Sequence, residues 1–123
     1  MPKTVSKLKI LYGEGDQKLL ASQAATIQNA GHTVQTALGR KSVEETIRRE
    51  PFDLVIVGHT LNKNDRHHLP YIVKKARPEA RVLVLHSSGS HPGVDAELDT
   101  PHSIEAILQK ISSLFVKAAT VGA

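Results

Sequence analysis

The run Leu54–Val57, set within Phe-Asp-Leu-Val-Ile-Val-Gly-His-Thr at Phe52–Thr60, constrains this chain more than any other stretch. Its strand-forming apolar residues show none of the alternation of a strand with one wet face. They suit a strand buried on both faces, as in a parallel sheet. Arg81–Leu85 has the same character, wholly apolar in its middle. Parallel strands need long crossovers, usually helical. In an open sheet of that kind, ligands and chemistry collect just beyond the carboxyl ends of the strands. Gly58 and His59 stand directly after the central run, so this edge decides the functional reading.

The rest of the chain supplies alternating strands and helices. Lys7–Tyr12 reads as the first strand, followed by Gly13-Glu14-Gly15-Asp16. Asp16 is placed to cap a helix over Gln17–Ala30 with Leu20, Ala24 and Ile27 on one face. Gly31 ends that helix in the left-handed conformation. The second strand is Thr33–Ala37. Ser42 and Glu45 form a capping box for a helix to about Glu50, with Val43 and Ile47 inward, and Pro51 stops it. The third strand is Asp53–Val57. A polar loop follows over Thr60–His68, and Pro70 suits the first turn of a helix to Ala76.

Arg81–Leu85 is the fourth strand, Ser87–Gly93 a loop, and Ala96–Leu98 a short fifth strand. The last helix is Ser103–Val116, with Ile104, Ile107, Leu108, Ile111 and Leu114 on its core stripe. Residues 1–6 and Ala118–Ala123 read as loose tails. Only Ser87–Asp95 is available for a helix between strands four and five, and it contains Gly89, Pro92 and Gly93, so that fourth helix is expected to be shortened.

This pattern predicts an α/β three-layer sandwich: a five-stranded parallel sheet flanked by helices, in the flavodoxin-like order 2-1-3-4-5. At 123 residues there is room for a single domain over 1–123, with its core at about 7–117. Hydrophobic content of 40% and charged content of 23% are ordinary for a globular chain, which argues against disorder. Cysteine is absent, excluding disulfides and thiolate metal sites. No signal-peptide pattern opens the chain, and no run is long enough to span a membrane. A cytoplasmic location with no membrane partner is the expectation.

In this order the residues resemble the response-regulator receiver domain, from Lys9 to about Leu114. Ile10-Leu11-Tyr12-Gly13 leads into Glu14, Gly15 and Asp16 where that family carries its acidic cluster. Gly31-His32-Thr33-Val34-Gln35-Thr36-Ala37 is similar to its glycine and second strand. Asp53-Leu54-Val55-Ile56-Val57 is similar to its third strand, and Val82-Leu83-Val84-Leu85 to its fourth. Leu61 and Asp65 stand where its next loop has a leucine and an aspartate. Pro101 matches the proline after its lysine.

The departures fall on the chemistry. The family's phosphate-accepting aspartate maps onto Gly58, and its switch threonine or serine onto His86, or onto Ser87 with the register moved by one. Its lysine maps onto Thr100. Of the acidic pair Glu14 remains and Gly15 does not. A glycine supplies no carboxylate nucleophile. Magnesium favours carboxylate oxygens in strict octahedral geometry, and Glu14 with Asp16 is a poor remnant of such a cage. Thr100 carries no charge to neutralise an acyl phosphate. The resemblance therefore implies a pseudo-receiver, a non-enzymatic signalling module that binds a protein partner, with no cofactor and with magnesium binding weak or absent. The last helix, strand five and the shortened fourth segment, with Lys110 and Lys117, are its expected partner surface.

Gly58 has a bland explanation as a tight turn. Phosphate could be taken at another carboxylate, but Asp53 starts its strand at the opposite edge of the sheet, and Asp65 sits in a loop. Glu14, His59, His86 and His102 all follow strands and could share a zinc ion, without any helical His spacing to support it. His67 and His68 read as a solvated loop. The formal charge is +4 and the pI near 9.5. The basic groups Lys3, Lys7 and Lys9, Arg40 and Lys41, Arg48 and Arg49, and Lys74, Lys75 and Arg77 are spread over different elements. With two Phe, two Tyr and no Trp, direct nucleic-acid binding rests on charge alone. Gly13-Glu14-Gly15-Asp16 is too acidic to cradle a flavin phosphate and lacks the third glycine of a dinucleotide site. His86-Ser87-Ser88 shows no nucleophile elbow.

Overall fold

A computed structural model describes residues 8–85, 96–98 and 104–112. The element order is β1 (Lys9–Glu14), α1 (Gln17–Asn29), β2 (Thr33–Leu38), α2 (Arg40–Arg49), β3 (Leu54–Val57), α3 (Lys63–Ala76), β4 (Arg81–Leu85) and β5 (Ala96–Leu98). A further helix, α4, covers residues 104–112. The strands form one five-stranded sheet in the order β2-β1-β3-β4-β5, every pair parallel. This is the flavodoxin-like α/β architecture expected from the pattern. The expected shortened fourth helix and the loop Ser87–Gly93 lie outside the described residues, as do both tails and the end of the last helix.

The absence of alternation in β3 has its explanation in the two cores. Leu54 and Ile56 join Ile10, Tyr12, Leu83 and Leu85 in a cluster with Leu20, Ala24 and Ile27 of α1 and Ile107 and Ile111 of α4. Val55 and Val57 face the other way. They pack with Leu11, Val82 and Val84 against Val43 and Ile47 of α2 and Leu69 and Val73 of α3. Successive strand residues point to opposite faces, so helices on both sides demand apolar residues at every position. Burying each large side chain stabilises the fold by roughly 1.5–3 kcal/mol.

The caps fix where the helices begin. Asp16 accepts hydrogen bonds from the Lys18 and Leu19 amides at 2.9 and 3.2 Å, as the sequence predicts for an N-cap. Gly31, just beyond α1, has φ of 109°. Two starts differ from expectation. The Ser42–Glu45 capping box does not form, because α2 begins at Arg40 with Gly39 at its N-cap. The Gly39 amide binds the Glu14 carbonyl at 2.9 Å, so β2 runs to its last sheet bond and turns directly into the helix at a φ of 86°. Ser42 then lies inside α2, where its carbonyl accepts from the Thr46 hydroxyl.

Helix α3 likewise starts before Pro70. Asn62 caps it by accepting from the Asp65 amide at 2.8 Å, and Pro70 is an interior, buried residue. The polar stretch Lys63–His68, read from sequence as loop, forms the helix's outer first turns. No helix among the described residues is long and apolar enough to cross a membrane.

Candidate functional site

Because all strands run the same way, their carboxyl ends share one edge. Strand β1 brings Glu14 there, and β3 brings Gly58. Gly13 pairs with Val57, and the Gly58 amide donates to the Gly13 carbonyl at 2.8 Å, so the two strand ends are locked side by side. The period of two puts Tyr12 and Glu14 on the same face of β1. Both are fully buried.

A buried carboxylate is tolerated only when hydrogen bonds replace its water. Glu14 has them on both oxygens. Oε2 accepts from the Tyr12 hydroxyl. Oε1 accepts from the Thr60 amide at 2.9 Å and from the Thr60 hydroxyl at 2.5 Å. The network extends in both directions. Gln23 Nε2 donates to the Tyr12 oxygen at 2.6 Å. The Thr60 hydroxyl oxygen accepts from the Gly15 and Asp16 amides at 2.8 and 3.0 Å. Burial, reinforced by the adjoining Glu14 carboxylate, holds the Tyr12 hydroxyl far above the usual phenol range, so it stays a proton donor.

The same carboxylate explains Gly58. A Cβ built on Gly58 would overlap the Glu14 carboxyl group, its carbon and both oxygens. Gly58 is not among the glycines with a left-handed backbone, so its φ does not demand glycine. A turn does follow directly, over 59–60, but the bareness of Gly58 itself is a matter of space. Gly15 is bare for a parallel reason: a Cβ there would meet the Thr60 carbonyl oxygen at 2.5 Å. Gly15 is therefore set by rigid backbone at Thr60, and Gly58 by a Glu14 side chain that its hydrogen bonds hold in place.

Of the residues singled out from sequence, Glu14, Gly15, Asp16, Gly58 and His59 converge at this edge. His59 Nδ1 lies 4.0 Å from Glu14 Oε2. His86, Ser87, Thr100, Pro101 and His102 lie outside the described residues. Asp53 is at the far edge of the sheet, where its Oδ2 accepts from the Lys9 amide at 2.9 Å. Asp65 is in the first turn of α3, not in a loop, and pairs with Arg40 Nε at 3.1 Å. Sequence reasoning missed Tyr12 and Thr60. Tyr12 had a signal, a polar hydroxyl in a strand otherwise apolar, two residues before a carboxylate. Thr60 had none, since its role comes from a contact 46 residues away in the chain.

The donor set bears on magnesium, the ion that the fold family implies. Glu14 spends both oxygens on Tyr12 and Thr60, Asp16 Oδ1 is committed to capping α1, and Gly15 and Gly58 offer no side chain. These residues do not fit an octahedral cage of carboxylate oxygens. Among the described residues no three His, Asp or Glu side chains are grouped so as to hold a metal.

Solved structures share this fold. A CheY-like receiver domain protein from Methanospirillum hungatei superposes with a TM-score of 0.78 and 21% identity, over 94% of this chain and 98% of that one. A two-component response regulator from Clostridium difficile gives a TM-score of 0.75 at 16% identity, over 88% and 95%. One from Burkholderia pseudomallei, with a phosphorylated aspartic acid, gives 0.70 at 20%, over 93% and 71%. The fold is that of the receiver domain. No protein-family model matches the chain, and no curated protein does.

Proposed function

We propose that this protein is a pseudo-receiver: a receiver-fold signalling module that binds a protein partner and takes no phosphate at the customary position. The observation that carries the reading is the Glu14 carboxylate, seated where the side chain of an acceptor at 58 would begin. Loss of the acceptor alone leaves a hole. Here the hole is filled by a carboxylate with donors on both oxygens, a satisfied structure rather than a damaged one. Thr100 in the lysine's place adds to this from the sequence side. The reading includes no catalysis, weak or no magnesium binding and a cytosolic home. Its partner surface is the one around α4, where Lys110 is half-buried.

The reading is tested by incubating the whole chain with magnesium and a small-molecule phosphodonor, then measuring intact mass. The expected result is an unchanged mass. A stable gain of one phosphate overturns it and assigns the chain to receivers that use another carboxylate.

A further inference from the structure

Two basic groups far apart in sequence meet at one place in the fold. Arg48 lies in the last turn of α2, Lys75 in the last turn of α3 and Arg77 at the C-cap of α3; together with Tyr71, Ile72 and Ala76 they line an open groove of about 500 Å³. In parallel-strand crossovers the helices run back against the strands, so this groove lies toward the amino edge of the sheet, away from Glu14 and Gly58. Glu50, just beyond α2, confirms the end concerned: it pairs with Lys9, the first residue of β1, at 2.6 Å.

Cations at helix C-termini complement the helix dipoles, and that alone would account for Arg48 and Lys75. It does not account for Tyr71. This residue is 68% exposed, one of two large hydrophobics that stand out in solvent among the described residues. Its ring, with Ile72 and Ala76, gives the groove an apolar lining beside the charges. No acidic residue lines it. Arg77 is held in place by donating from Nε to the Ile47 carbonyl at 3.0 Å and from Nη2 to the Arg48 carbonyl at 3.2 Å. One wall is therefore fixed before anything binds. The Arg48 guanidinium lies 3.8 Å from Glu44 and its side chain is well exposed.

We propose that this α2–α3 groove docks an acidic peptide segment of a partner protein through an apolar or aromatic anchor flanked by carboxylates. The anchor would lie against Tyr71, Ile72 and Ala76, and the carboxylates would meet Arg48, Lys75 and Arg77. Three cations beside an apolar lining match such a segment better than a nucleic acid, which needs a longer basic stripe or stacking aromatics. The assignment does not depend on whether position 58 takes phosphate.

The test is fluorescence anisotropy of the whole chain with a labelled peptide in which Glu alternates with Leu and Phe, at physiological salt. Saturable binding is expected. Arg48→Glu and Lys75→Glu should each weaken it about tenfold or more, as for residues central to an interface, with folding checked by circular dichroism. Lys41→Glu, the same charge change at the other end of α2, should leave binding within about twofold. Replacing Leu and Phe of the peptide by Ser should also cost about tenfold. Absence of saturable binding, an equal loss in Lys41→Glu, indifference to the apolar residues, or displacement of the peptide by a short DNA duplex would each overturn the proposal.

Discussion

The carboxylate of Glu14 stands where the first side-chain carbon of a residue at Gly58 would be. Restoring an acceptor aspartate is therefore more than filling an empty place. Gly58→Asp must expel a buried carboxylate from its three donors, and we expect a loss of about 3 kcal/mol from overpacking and broken hydrogen bonds. Urea denaturation measures it. A variant as stable as the parent would show that Glu14 swings aside freely.

Thr60 ties the strand ends to that carboxylate. Thr60→Val keeps the shape and the backbone amide but removes the hydroxyl that donates to Oε1 and accepts from the Gly15 and Asp16 amides. A loss of about 1–3 kcal/mol is expected, because a buried charged group is left short of a partner. Thr60→Ser should recover most of it in the same denaturation assay.

Tyr12 makes stability depend on alkaline pH. Its hydroxyl is held protonated in the fold, while the unfolded chain ionises near the ordinary value of 10.0. The contribution is whole below that pH and is lost as pH rises above it, by up to about 1.4 kcal/mol per unit. In Tyr71→Phe, which leaves Tyr12 as the only tyrosine, tyrosinate absorbance should appear only with unfolding. A normal phenol titration in the folded state would contradict the buried network.

His32 acts at the other end of the scale. Its Nδ1 accepts from the Leu8 amide at 3.3 Å, which requires the neutral ring, and burial lowers its pKa from 6.5. Its contribution is present above that value and falls away as pH drops below it, toward the folded pKa. The stability difference between the parent and His32→Gln should therefore shrink on acidification. NMR titration of the His32 ring should show the lowered midpoint, and a midpoint above 6.5 would refute the assignment.

Much of the fold was legible because burial on two faces leaves a plain mark: Leu54–Val57 and Val82–Leu85 lack alternation, and the Leu20–Ala24–Ile27 stripe repeats at helical spacing. Helix starts were less so. Ser42 and Pro70 carry genuine start signals, yet sheet pairing through Gly39 and the Asn62 cap moved both starts earlier in the chain. At the site, the bare Gly58 could be read directly, but not its cause. The inward turn of Glu14 follows from strand parity with Tyr12 and from Thr60 across the sheet edge, contacts that no local pattern encodes.

The central claim, that Glu14 occupies the acceptor's space, is tested most directly by a double-mutant cycle of Gly58→Ala with Glu14→Ala. In the parent, Gly58→Ala should cost about 2–3 kcal/mol by denaturation, and in the Glu14→Ala background less than about 1, a coupling of the size found for residues in contact. Equal costs in both backgrounds would mean that Gly58 and Glu14 do not share that space.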